Sequence, residues 1–172
     1  MKEIVIISGK GGTGKTSLTA SFALIANNAV LADCDVDAAD MHLILTPTVK
    51  ERHDFWSGKE AVVNPNMCRP RGICSKLCRY DAISKKGRKY YVDPTACEGC
   101  GVCAYFCPEG AIEMKDRLCG EWMISDTRAG PMVHAKLGVA AENSGKLVST
   151  VRQEARRLAN EPEKEMVIID GP

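Results

Sequence analysis

Four cysteines, Cys97, Cys100, Cys103 and Cys107, follow the spacing C-x2-C-x2-C-x3-C, and Pro108 comes directly after the last. Thiolates at this spacing suit iron–sulfur clusters. Two intervening residues let a tight loop bring three sulfurs to one cluster, while the fourth is carried off by a helical turn toward another. A zinc ribbon or a redox Cys-x-x-Cys pair also uses close cysteines, but neither ends four of them on Cys-Pro. Shifted back by 29 residues, Cys97, Cys103 and Cys107 fall on Cys68, Cys74 and Cys78, and Ala111-Ile112 falls on Ala82-Ile83. Such self-similarity marks a duplicated half-domain. The repeat is imperfect: Arg71 stands where Cys100 would land, and a guanidinium has no lone pair to offer iron.

A second set of residues could grip phosphates. Gly9, Gly14, Lys15 and Thr16 fit G-x4-G-K-S/T, whose backbone N–H groups cradle phosphate at a helix start. Gly9, Gly11 and Gly14 also fit the dinucleotide pattern G-x-G-x-x-G, with Asp33 near the place of a ribose-binding acid. Lys15 and Thr16 decide for the first pattern: the amine suits β- and γ-phosphates and the hydroxyl suits Mg²⁺. The cradle is then Gly9, Gly11, Gly12, Thr13, Gly14, Lys15, Thr16 and Ser17. Acids follow two apolar runs, as Asp33, Asp35 and Asp37 after Val30–Ala32 and as Asp170 after Met166–Ile169. Acids at the carboxyl ends of parallel strands face the crevice where ligands bind.

The cysteine repeat resembles that of two-cluster bacterial-type ferredoxins, whose crossed ligation implies two sets. Cys97, Cys100 and Cys103 with Cys78 would hold one 4Fe–4S cluster. Cys68 and Cys74 with Cys107 form a second set that lacks a ligand at Arg71. Three states of the second set stay open: a 3Fe–4S cluster, a cubane with one labile, externally ligated iron, or no cluster.

The stretch Lys10-Gly11-Gly12-Thr13-Gly14-Lys15-Thr16 resembles the deviant Walker A loop of the MinD, ParA and nitrogenase-iron-protein ATPases. That likeness implies ATP/ADP as ligand and a homodimer in which Lys10 reaches the facing subunit's nucleotide. It further implies Lys10, Lys15 and Asp35 as catalytic residues, and Mg²⁺ held by Thr16 and Asp170. Together the motifs resemble MinD-superfamily P-loop ATPases that carry an inserted ferredoxin domain. Relatives of this kind continue past Gly171-Pro172. The resemblance therefore implies an ATPase in full-length form, an inactive shorter chain, and a sheet incomplete at its C-terminal side with apolar surface bare along one edge.

The elements that must position these residues make an α/β protein. The expected fold is a P-loop NTPase parallel sheet from residues 1–59 and 117–172, with an inserted α+β ferredoxin-like domain at 60–116. Glu3–Ser8 reads as a buried parallel strand. A helix is expected over Ser17–Asn27, with Leu18, Phe22 and Ile25 on one side. Residues 46–59 lose periodicity and read as a linker. Lys89–Asp93 is a strand after a turn at Lys85–Arg88, and two more strands flank Gly130-Pro131. A helix carries Leu147, Val151, Ala155 and Leu158 on one face, with Ser144 or Asn143 as N-cap. Cys34 reads as a small buried residue.

Among the 172 residues, 23 Lys and Arg balance 22 Asp and Glu for a net charge of +1. That balance excludes a nucleic-acid or anionic-membrane field. Nine cysteines, most in cluster spacing, point to a reducing compartment, the cytoplasm. No apolar run is long enough for a membrane span. The expected function is an ATP-binding iron–sulfur protein that couples nucleotide turnover to electron transfer with a redox partner, or to cluster delivery to an apo-protein. Two alternatives accompany it: a passive ferredoxin-type carrier with the P-loop part as scaffold, and a MinD-like positioning ATPase.

Overall fold

In a computed structural model, the chain begins with β1 (Lys2–Ile6) and turns through a glycine-rich loop into α1 (Lys15–Ala26). Then come β2 (Ala29–Asp33), α2 (Met41–Leu45) and the long β3 (Thr48–Val63), followed by α3 (Ile73–Leu77), β4 (Ile83–Lys86), β5 (Lys89–Val92) and α4 (Val102–Tyr105). The long β6 (Ile112–Thr127), β7 (Gly130–Leu137), α5 (Ser144–Leu158) and β8 (Met166–Asp170) complete the order. The structure describes residues 1–26, 28–138, 143–162 and 164–171; Asn27, Glu142 and Pro172, which the sequence reading includes, lie outside them.

The described chain forms two compact units. One is Met1–Phe55 with Cys119–Gly138 and the residues from 143 onward; the other is Trp56–Leu118. The division falls inside β3 and β6. The main sheet has the order β1-β8-β2-β7-β6-β3. β8 runs parallel between β1 and β2, β2 pairs parallel with β7, and β6 and β7 form an antiparallel hairpin. The sheet is therefore mixed but mostly parallel over its first four strands. β2 and β8 are central, and every residue of β2 is buried. Around Leu31 and Ile168 pack Ala20, Ala23, Met41, Leu45 and Met132.

Three expectations are corrected. Residues 48–59 are not a linker but most of β3, a strand at the sheet's edge. The strand holds its place with charge pairs to β6, Lys50–Asp126 at 3.0 Å and Arg52–Glu121 at 2.5 Å, and with the His53 ring stacked on Trp122 at 4.0 Å. β1 is parallel as expected but not buried: it is the other edge, and Ile4 and Val5 are 43% and 48% exposed. α1 packs inward through Thr19, Ala20 and Ala23, leaving Leu18, Phe22 and Ile25 in solvent. Small side chains let the helix sit close to the sheet, so its apolar stripe faces out. By contrast, α5 buries Leu147, Val151 and Ala155 as its period predicts, and its N-cap is Asn143, one of the two candidates, in a left-handed conformation (φ 76°) without a side-chain hydrogen bond.

The unit Trp56–Leu118 has a small core of its own: Ala61, Ala82, Cys97 and Ile112, with Cys74, Cys78, Cys103, Cys107 and aliphatic residues partly buried against them. β4 and β5 form a hairpin turning at Gly87-Arg88, with Gly87 at φ 64°, the positive dihedral that two-residue hairpin loops require.

Candidate functional sites

The internal repeat is built into the backbone of the Trp56–Leu118 unit. Gly72 and Gly101 each cap a short helix in the left-handed conformation, at φ 77° and 76°. Asp81 and Gly110 are left-handed at φ 51° and 59°, and Ala82 and Ala111 are both 2% exposed. The halves are also stitched crosswise: Asn64 N–H donates to Ala111 O and Asp93 N–H donates to Ala82 O, both at 2.7 Å. Each of these pairs is one repeat apart.

The cysteines sort into two cavities. Cys78, Cys97, Cys100 and Cys103 line one. Cys68, Cys74 and Cys107 line the other, with Arg71, Tyr90 and Glu109. These are the two crossed sets. Burial raises the thiol pKa of Cys74 and of Cys103, and each feels the neighbouring thiols of its own set, Cys68 and Cys107 in one case, Cys97 and Cys100 in the other. Among the described residues no three His, Cys, Asp or Glu converge as a single bound ion would require, whereas a cubane spreads its thiolates over separate iron corners. The set around Cys97 offers four thiols and fits a four-iron cluster. The set around Cys74 offers three. Ala111 N–H points at Cys107 Sγ at 3.4 Å, a contact of the kind that tunes cluster potential.

In the sheet unit, β1, β8 and β2 are adjacent and parallel, so their carboxyl ends lie side by side. The glycine-rich loop leaves β1, Asp170 ends β8, and Asp33 ends β2 in register with Asp170. Gly12 and Gly14 take φ 76° and 82°, and no atom stands within 4 Å of a Cβ built at Gly11, Gly12 or Gly14. The loop is an open cradle of backbone at the start of α1. A cavity there is lined by Gly11 to Ser17 and by Ser8, Asp35 and Asp40. Lys15 rests on acids, with Nζ 3.3 Å from Asp35 and 3.7 Å from Asp170, and it also donates to the Gly171 carbonyl. Thr16 Oγ1 donates to Asp170 Oδ2 at 2.8 Å. Gly9 and Lys10 are exposed and lie outside the cavity lining.

One residue of this cluster escapes sequence reasoning. Thr19, fully buried, has its hydroxyl 2.9 Å from both Asp170 Oδ1 and the Lys15 carbonyl, so its one proton serves one of them at a time. It faces the same way as Thr16 one helical turn earlier, which is the signal that could have found it. Asp33 is buried, and burial with the nearby Asp170 carboxylate pushes its pKa up to about 7. Its Oδ2 has no hydrogen-bond partner. A buried carboxylate with a spare oxygen beside a second acid suits a bound cation, and the donor set therefore fits Mg²⁺. Cys34, also buried, has its thiol pushed up to about 12 by desolvation first and by Asp33 second.

Comparison with known proteins decides the iron–sulfur part. Residues 90–113 match the 4Fe-4S binding domain family. This is an iron–sulfur chain. It is also 34% identical, over 99% of its own length, to an uncharacterized protein of Methanocaldococcus jannaschii. The chain spans 59% of the length of that relative. Among the described residues, no helix is long and apolar enough to cross a membrane.

Proposed function

We propose that this chain is an ATP-binding iron–sulfur protein, in which nucleotide at the Lys15–Thr16 loop governs what its clusters do. The observation that carries the reading is the gathering of Lys15, Thr16, Asp35 and Asp170 at the carboxyl ends of three adjacent parallel strands. The cradle before them is open backbone. In this reading Lys15 leaves its carboxylates for the β- and γ-phosphates, Thr16 and Asp170 hold Mg²⁺, and Asp35 orients water. Lys10, exposed on the loop, serves a facing copy in a homodimer. The clusters, when bound, supply one-electron transfer. Chain order supports the coupling: after Asp35 the chain runs through α2 into β3, which leads to the first cysteines. The output is an electron passed to a redox partner, or a cluster passed to an apo-protein, in the cytoplasm.

Binding of a fluorescent ATP analogue with Mg²⁺, followed by cluster potential in ADP and in a non-hydrolysable ATP analogue, tests this. Lys15→Ala is expected to weaken binding on the order of 100-fold, about 2.7 kcal/mol, with iron content unchanged. Equal binding by wild type and variant, or one potential in both nucleotides, overturns the coupling and leaves a passive electron carrier.

A further inference from the structure

The two cysteine loops differ by more than one side chain. In the second loop Gly99, directly before Cys100, sits at φ 65°, and a Cβ there would stand 2.0 Å from the Lys59 carbonyl oxygen. Only glycine meets both conditions. Its counterpart one repeat earlier is Pro70, whose ring fixes φ near about −65° and which is not among the residues of positive φ. The first loop cannot follow the path that delivers Cys100. It closes instead on a tight turn, Arg71 N–H to Arg69 O at 2.7 Å.

What stands at the missing corner is an ion pair. Arg71 Nη2 lies 2.9 Å from Glu109 Oε1, and Arg69 Nε lies 3.5 Å from Glu109 Oε2. Arg71 and Glu109 both line the cavity with Cys68, Cys74 and Cys107. The carboxylate of Glu109 is therefore committed to two guanidiniums, and an outside ligand would have to displace the pair. The Tyr90 hydroxyl packs against Gly72, 2.8 Å from where a Cβ would be. Cys34 and Cys119 do not line this cavity.

We infer that Cys68, Cys74 and Cys107 hold a three-iron, 3Fe–4S cluster, with the vacant corner of the cube closed by the Arg71–Glu109 pair and the vacancy fixed by Pro70. Three thiolates suffice for three irons, and the two arginines with the Glu109 carboxylate leave one net positive charge beside the anionic cluster. The inference rests on the iron–sulfur reading of the repeat, and not on nucleotide binding.

The test is iron content and EPR of the anaerobically purified protein. Wild type is expected to hold about seven irons per chain, four of them in the cubane of the Cys97 set. It should show the spin-half signal of an oxidised three-iron cluster and, on reduction, a cubane signal. Eight irons, or four with the three-iron signal absent, overturns the inference. Arg71→Cys alone is expected to stay at about seven, because Pro70 keeps its path, and the double variant Pro70→Gly/Arg71→Cys should reach about eight and lose the three-iron signal. Arg71→Cys reaching eight alone, or the double variant staying at seven, overturns the role of Pro70. Should the double variant fail to fold, Cys68→Ser decides: loss of about three irons with the cubane signal intact supports the assignment, and loss of four overturns it. Absence of any cubane signal in wild type rejects the underlying iron–sulfur reading as well.

Discussion

The two units solve the same problem, holding reactive groups still, by opposite means. In the sheet unit Asp33 and Asp170 stand at the tips of the buried strands β2 and β8, and the core around Leu31 and Ile168 contains none of the site's polar groups. In the iron–sulfur unit the groups stand on loops set by left-handed turns at Gly72, Gly99, Gly101 and Gly110. Their buried core cluster is Ala61, Ala82, Cys97 and Ile112, and one of those is a cysteine of the four-thiol set. The first site is carried by its scaffold. The second is, in good part, its own scaffold.

That contrast is sharpest if the cubane is removed. A Cys97→Ser/Cys103→Ser variant is expected to unfold the Trp56–Leu118 unit, since a site absent from the unfolded chain couples cluster binding to folding. Hydrogen exchange should show β4 and β5 losing protection while β2 and β8 keep theirs. Unchanged protection of β4 and β5 would mean that the loops hold themselves. A smaller effect separates two glycines of like dihedral. Gly99→Ala meets the Lys59 carbonyl as well as an unfavourable φ and is expected to cost on the order of 3 kcal/mol, with loss of cubane iron. Gly87→Ala, at φ 64° with open space around it, should cost about 1 kcal/mol and leave iron content alone. Equal costs at the two sites would break the argument from close approach.

The sheet unit should answer to pH instead. His134 is buried against Ser125, with their side chains 2.8 Å apart, and burial lowers its pKa to about 4. Between the ordinary histidine value of 6.5 and this one, the unfolded chain takes up a proton that the folded chain refuses. Stability is therefore present above pH 6.5 and lost as pH falls toward 4, by about 2 to 3 kcal/mol. Asp33 works in the other direction. Its raised carboxyl favours the folded state below its ordinary value near 3.8, and that gain is lost as pH rises through about 7. Denaturant melts of wild type and His134→Gln at several pH values, in an Asp33→Asn background, isolate the histidine. An equal slope in both proteins between pH 6.5 and 4 would refute it.

Much of both sites was legible because their chemistry is local. Cysteine spacing fixes which thiols share a loop, and the 29-residue shift from Cys97 to Cys68 pairs the halves, while the crossing of the two sets is what the resemblance to two-cluster ferredoxins implies. Lys15, Thr16 and Asp170 were legible because each sits at a fixed offset from an apolar run. The rest depended on tertiary context. β3 reads as a linker because it is an edge strand laden with Lys50, Glu51, Arg52 and Asp54, and edges are guarded by such charge. The buried face of α1 was missed because alanine and threonine carry little hydropathic signal beside Leu18 and Phe22. Pro70 was visible in the sequence, but its meaning needed the dihedral of Gly99.

The clasp on β1 has a consequence for the whole sheet. Arg156 and Arg152 of α5 grip Glu3 and hold its carboxyl down to about 2. What the clasp contributes is full above pH 4.5 and fades only as pH drops toward that low value. His134, on β7 across β2 from the β1 side, gives way two pH decades sooner. Acid should thus peel this sheet like a zip, starting from the hairpin margin and reaching the clasped margin last.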